Sequence, residues 1–232
     1  MSVIVQDTTP LFVAGEPSAP RALIVIQEAF GVNDHIREVC ERFATEGYYV
    51  VAPLLYHRSG SPEIAYDDFP EAMTHMGQLN KADIETDLRA SSQFLVAAGY
   101  RASSTGIVGY CMGGTVTLYT ATLGIVGSAA PYYGSGIAVG RFGLPPQIES
   151  ALRVLCPVIG FYGDLDTGIP IDQVEALREA LRESSQPTEV VRYPEAQHGF
   201  HCDGRPNNFN EAAASDAYRR TLAFFDTHLE TA

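Results

Sequence analysis

The sequence predicts an α/β fold built on a mostly parallel central sheet with helices on both faces. Three observations carry this reading. Ala22-Leu23-Ile24-Val25-Ile26 is an unbroken apolar run, the pattern of a strand buried on both faces. A helical pattern and a second β-prone run, Tyr48 to Ala52, follow within about thirty residues and complete one strand–helix–strand crossover. The alternation then continues to the C-terminus without internal repeat or break in composition, so a single domain is expected over residues 1–232.

In chain order, residues 3–7 and 11–14 are short β-prone pieces separated by Thr8-Thr9-Pro10, which predicts an edge hairpin. The buried strand at 22–26 leads through the loop Gln27 to Asn33. Asp34 is placed to cap a helix whose apolar side holds Ile36, Val39, Cys40 and Phe43, and Gly47 ends it. Residues 54–80 carry no regular pattern, and a connection this long suits a substrate-side loop or cap. A helix is predicted over 82–98, a strand over 105–110 and a buried helix after it. Gly127 to Tyr133 reads as the next strand, and 140–153 as a Pro-containing connection. Strands at 158–162 and 189–193 bracket a helix at 172–184, and residues 211–228 form a closing amphipathic helix.

Composition narrows the function. With 28 acidic against 15 basic residues the net charge is -13, which repels phosphate backbones and anionic lipid. Nucleic-acid and membrane-surface roles are therefore not expected, whereas a small anionic ligand in a locally basic pocket stays compatible. The N-terminus has no basic, apolar leader pattern. Cys40, Cys111, Cys156 and Cys202 form no Cys-x-x-Cys pair, so the expectation is a cytoplasmic protein with reduced thiols, a monomer or small homo-oligomer. Cys40 and Cys156 read as buried small apolar residues.

The chemistry centres on Gly109-Tyr110-Cys111-Met112-Gly113-Gly114, where a strand must turn sharply into a helix. Small residues on either side of Cys111 let the two elements approach, and the pattern Gly-x-Cys-x-Gly is the cysteine form of a nucleophile elbow. Beyond the strand ends at 163–170 and 194–199 lie Asp164, Asp166 and His198, so nucleophile, acid and base occur in α/β-hydrolase order. Either aspartate could orient the histidine, or satisfy its own turn. Glu28 follows the first buried strand. Held near Cys111 in a poorly solvated pocket, its carboxylate could take the thiol proton when substrate arrives, or it could sit in an ordinary salt bridge. His198-Gly199-Phe200-His201-Cys202-Asp203 has a metal-like composition but no known zinc spacing, so neither metal nor cofactor is expected. Tyr132 and Tyr133, at a strand end, are candidates for either core or pocket lining.

Gln27-Glu28-Ala29-Phe30-Gly31-Val32-Asn33, Gly47-Tyr48, Pro53-Leu54-Leu55-Tyr56, Gly106 to Gly114, Tyr132-Tyr133-Gly134, Gly163 to Pro170 and Ala196-Gln197-His198 together resemble the dienelactone hydrolase (carboxymethylenebutenolidase) family of α/β-hydrolases. The resemblance implies a triad of Cys111, Asp166 and His198 and a thiol-activating Glu28. It also implies an oxyanion hole from the backbone N–H groups of Ala29 and Met112, with Phe30, Tyr132 and Tyr133 near the substrate. Members that cleave dienelactone hold the substrate carboxylate with two arginines, one in the segment matching 59–75 and one four residues after the histidine. This chain has no arginine between Arg58 and Arg89, and Cys202 stands at the second position. Arg58 and Arg205, on neighbouring loops, are the candidate replacements. The expected function is hydrolysis of a small lactone or ester through an acyl-cysteine; the alternative is a non-catalytic small-molecule-binding or thiol redox-sensing module.

Overall fold

The computed structural model describes residues 2–232. Strands β1 (Ser2–Gln6), β2 (Thr9–Ala14), β3 (Arg21–Ile26), β4 (Tyr48–Pro53), β5 (Thr105–Tyr110), β6 (Ser128–Tyr132), β7 (Val158–Gly163) and β8 (Thr188–Tyr193) form one sheet in the order β1-β2-β4-β3-β5-β6-β7-β8. β1 and β2 make the predicted hairpin and join β4 antiparallel, while every pairing from β4 to β8 is parallel. All residues of β4, β5, β6 and β7 are buried, as are the last five of β3. Successive side chains of a strand point to opposite faces, so burial at every position means that both faces are covered.

The helices are α1 (Asp34–Thr45), α2 (Phe69–Met76), α3 (Lys81–Ala97), α4 (Met112–Thr120), α5 (Gln147–Ala151), α6 (Ile171–Arg182) and α7 (Glu211–His228). α1 packs on β4 through Ile36, Val39, Cys40 and Phe43, as its periodicity predicts. Its cap is Asn33, whose side chain accepts from the Ile36 N–H, and Asp34 is the first helical residue instead. Either side chain suits a cap, and the loop from β3 delivers Asn33 in extended conformation. The irregular segment 54–80 contains α2, capped by Asp68 with Pro70 in its first turn, and the connection 140–153 contains α5. Both helices are too short for periodicity to reveal them.

The sheet order fixes where a ligand can bind. The chain leaves β3 outward to β4, then returns to lay β5 on the other side of β3. The loop after β3 and the turn after β5 thus diverge from adjacent strand ends, a crevice in which open parallel sheets bind ligands.

Behind this crevice, Asp87 of α3 is buried and binds three side chains. Thr9 Oγ1 donates to it at 2.7 Å, His57 Nε2 lies at 3.1 Å, and the Arg58 guanidinium binds both oxygens at 2.8 and 3.0 Å. This ties the hairpin, the turn after β4 and α3 together. Removing one partner of a buried ion pair strands the other. Asp87→Ala is expected to lower unfolding free energy by about 3 kcal/mol or more in urea titration, while the folded fraction keeps its catalytic constants.

Candidate active site

Cys111 sits at φ 56° and ψ -115°, a strained conformation that lifts its side chain out of the turn between β5 and α4. The neighbouring glycines explain how the chain tolerates it. A Cβ on Gly109 would lie 2.4 Å from the Gly113 carbonyl oxygen, and one on Gly113 would lie 2.5 Å from that of Ile26. The elbow is therefore pressed against the end of β3, and the Cys111 N–H is held by the Tyr132 carbonyl at 3.1 Å.

The structure separates the two aspartates left open by their spacing. Asp164 is paired through both oxygens with Arg192, at 2.7 and 2.8 Å. Asp166 is buried; its Oδ1 accepts from the Gly168 N–H at 2.8 Å, and its Oδ2 lies 2.6 Å from His198 Nδ1. The other ring nitrogen, Nε2, is 3.0 Å from Cys111 Sγ. Burial alone would favour the neutral ring, but a Cys111 thiolate and the Asp166 carboxylate raise the His198 pKa well above 6.5. The Asn208 side chain donates to the His198 carbonyl at 2.8 Å and fixes the loop.

Opposite the elbow runs the loop after β3. Neither the Ala29 nor the Met112 amide donates a hydrogen bond to the backbone among the described residues. Tyr56 braces both residues, its hydroxyl donating to the Ala29 carbonyl at 3.0 Å and reaching Met112 Sδ at 3.5 Å. Gln27 clamps the loop to the chain after β4 by accepting from the Leu55 N–H at 3.0 Å. Glu28 is buried, with only a long 3.5 Å contact from the Tyr133 hydroxyl to Oε1; Oε2 has no protein partner. Glu28, His35 and Cys202 are neighbours: one side-chain atom from each, a carboxylate oxygen, a ring nitrogen and the sulfur, lies within 4.8 Å of the others.

Cys111 and His198 open into a cavity of about 850 Å³. Its walls are mainly apolar, from Phe30, Phe69, Met73, Met76, Leu79 and Phe142, and two arginines, Arg141 and Arg205, also line it. The Arg205 guanidinium carbon lies 5.4 Å from the Phe30 ring centre and 5.7 Å from that of Tyr66. Arg58 does not reach the cavity; its pairing with Asp87 and Asp83 corrects the expectation that it could stand beside the substrate. Tyr132 is likewise core, wholly buried with its hydroxyl on Thr221. Tyr133 is also wholly buried and packs behind the site, 5.2 Å between ring centres from His198. Sequence reasoning missed Arg141, Tyr56, Gln27 and Asn208. Gln27 and Tyr56 stood inside recognised motifs, whereas nothing local marks Arg141 or Asn208.

Comparison with known proteins accords with this architecture. The model of the dienelactone hydrolase family matches residues 11–229. A Salmonella typhimurium protein named as a carboxymethylenebutenolidase is 36% identical over 225 residues, covering 94% of this chain and 83% of its own length. A Synechocystis protein of the same name is 35% identical over 214 residues, covering 90% of this chain and 86% of its own. The crystal structure of a dienelactone hydrolase from Klebsiella pneumoniae superposes with a TM-score of 0.87 at 34% identity, over 96% of this chain and 94% of that one. The chain is a hydrolase with the α/β-hydrolase fold and belongs to the dienelactone hydrolase family.

Proposed function

We propose that this hydrolase opens lactones or cleaves small carboxylic esters through an acyl-cysteine on Cys111. The observation that carries the reading is the continuous chain from Cys111 Sγ to His198 Nε2 at 3.0 Å and from Nδ1 to Asp166 at 2.6 Å, at the base of the cavity. In this scheme the cycle starts from the Cys111 thiol, the Glu28 carboxylate and a protonated His198, which the Asp166 carboxylate supports at rest and the Cys111 thiolate supports further once it forms. Glu28 takes the thiol proton when substrate excludes water, and the thiolate attacks the carbonyl carbon. The Ala29 and Met112 amides receive the oxyanion. His198 then gives its proton to the departing alkoxide, leaving a thioester. A water attacks the thioester as His198 takes its proton back, the thiolate leaves, and Glu28 returns the proton to sulfur.

The walls suggest which acyl compounds fit. Apolar side chains enclose a small carbon skeleton, and Arg141 and Arg205 favour a substrate that carries a carboxylate. Arg205, stacked on Phe30, supplies from seven residues past His198 the charge that Cys202 lacks. Residues 54–80 act as a cap, because α2 and the turn after it provide Phe69, Met73, Met76 and Leu79.

Three measurements test this reading. Intact mass of the protein mixed with an activated aryl ester should reveal a thioester adduct that Cys111→Ala lacks, with turnover lost by several orders of magnitude; undiminished hydrolysis in that variant would remove Cys111 from the mechanism. Arg205→Ala and Arg141→Ala should raise KM for carboxylate-bearing esters on the order of tenfold or more while sparing neutral ones; equal effects on both would refute the charge-based selection. The third is a histidine NMR titration. His198 binds its proton more tightly folded than unfolded, so its stabilisation is full below about pH 6.5 and disappears as pH rises through the folded value. Asp166→Asn removes one supporting charge and should move the His198 transition to lower pH; an unmoved transition would break the assignment of Asp166 as its partner.

A further inference from the structure

The cavity is larger than a small lactone at Cys111 fills. Its volume of about 850 Å³ lies near the top of the roughly 300–1,000 Å³ range of pockets that enclose drug-sized ligands. The surplus space is bounded by α2. Phe69, Met73 and Met76 stand at positions i, i+4 and i+7 of that helix and share one face, which lines the cavity. Ala72 and Met76 are buried and anchor the helix, whereas Phe69 and Met73 stay 52% and 45% exposed. Large apolar side chains left open on a concave wall mark surface that a ligand covers.

Both ends of this face join the rest of the wall. At the N-terminal end the Phe69 ring centre lies 6.4 Å from that of Phe30, the residue after Ala29. At the other end Leu79 continues the lining and the loop after β6 closes in, because a Cβ on Gly143 would lie 3.1 Å from the Lys81 nitrogen. That loop brings Phe142 to the cavity at φ 57°, a left-handed backbone that is costly for a bulky residue. Its turn is close-packed, since a Cβ on Gly140 would meet the Leu144 carbonyl oxygen at 2.1 Å. From Phe30 to Phe142 the apolar strip thus follows the length of α2, whose eight residues span about 12 Å. Its position relative to the triad is also set. Phe30 and α2 follow β3 and β4, whereas Asp166 and His198 follow β7 and β8, on the other side of β5 in the sheet. The leaving group takes its proton from His198 and so lies on the β7–β8 side, which leaves the strip to the acyl chain.

We propose that α2 reads acyl-chain length: the preferred substrates are esters or lactones whose acyl part carries an extended alkyl or aryl-alkyl chain about as long as α2. Phe69 and Met73 are the residues that set this preference. The inference rests on the reading of Cys111 as the acylated nucleophile. No residue of the strip is charged, so it selects apolar length, while Arg141 and Arg205 select charge. The two methionines suit this task, because unbranched thioether side chains repack around chains of different shape. The acyl chain stays on the strip through both halves of the reaction, as the thioester on Cys111 forms and as water removes it.

The test is kcat/KM on p-nitrophenyl esters from acetate to hexadecanoate, kept below their micellar concentrations. These esters are neutral, so the arginines do not enter. The wild-type value should climb roughly two- to fourfold per added methylene and level off near decanoate, whose extended chain matches the roughly 12 Å of α2. In the double variant of Phe69→Ser with Met73→Ser, checked for folding by near-ultraviolet circular dichroism, the ratio of decanoate to acetate should fall at least tenfold. Met73→Trp, which fills the strip midway, should move the optimum to shorter chains. A flat series, a climb that continues unchanged to hexadecanoate, or a ratio kept in the double serine variant would overturn the proposal. An optimum unmoved by Met73→Trp would overturn it as well. Calorimetry of free acetate and decanoate binding to Cys111→Ala reads the strip without turnover. If the wild type hydrolyses none of the esters and forms no thioester, the acyl-cysteine reading fails; tighter binding of decanoate then still supports the strip, and equal binding overturns it.

Discussion

The approach of the elbow to the end of β3 is the constraint on which the site depends. Gly113 lies so close to the Ile26 and Gln27 carbonyls that a Cβ would sit 2.5 and 2.6 Å from them. That contact does more than permit a sharp turn. It brings the start of α4 alongside the loop after β3, so that the Met112 amide and the Ala29 amide come from two elements fixed against each other. The oxyanion hole proposed for these two amides needs donors that do not reorganise when charge develops, and backbone packing supplies that rigidity. Tyr56 and Gln27 extend the same logic outward by bracing the loop that carries Ala29.

Four buried or nearly buried carboxylates show how differently one fold can treat the same group. Asp87 receives a bidentate arginine, a hydroxyl and a histidine, and its work is structural. Asp164 is neutralised by Arg192. Asp166 receives one backbone amide and one imidazole, enough to hold the ring while leaving its charge available to it. Glu28 receives a single long hydroxyl contact. The least compensated of the four, Glu28, is the one that the proposed mechanism asks to change protonation during the reaction. Stability and reactivity are thereby assigned to different aspartates and glutamates of the same sheet.

Much of this was legible in the sequence, and the boundary of legibility is physical. Strands buried on both faces announce themselves as apolar runs, so β3 to β7 were readable from 22–26 onward. The elbow was readable because its glycines are required by contacts under 3 Å. Asp164 and Asp166 were not separable by spacing, since both follow β7 within three residues; only the cross-strand reach of Arg192 removes the first. α2 was invisible because eight residues hold too few turns for a pattern. Arg58 looked available because a sequence displays charge but not its partner, and Asp87 is 29 residues away. Arg141 had no signal at all, because its loop becomes a cavity wall only after β6 and α5 are placed.

The two arginines also reconcile the acidic composition with the carboxylate-bearing substrate proposed above. The net charge of -13 sets the far field, but within a cavity the nearest charges decide. Arg141 and Arg205 make no ion pair among the described residues, whereas Arg58, Arg178, Arg192 and Arg220 are all bound to carboxylates. Arg205 is held instead against aromatic faces, which leave its hydrogen-bond donors free in the plane of the guanidinium. A guanidinium kept from protein carboxylates, beside an apolar wall and a nucleophile, has its charge left for the ligand. The cavity that receives Cys111 thus also holds the two arginines without carboxylate partners on which the proposed preference for a carboxylate-bearing substrate rests.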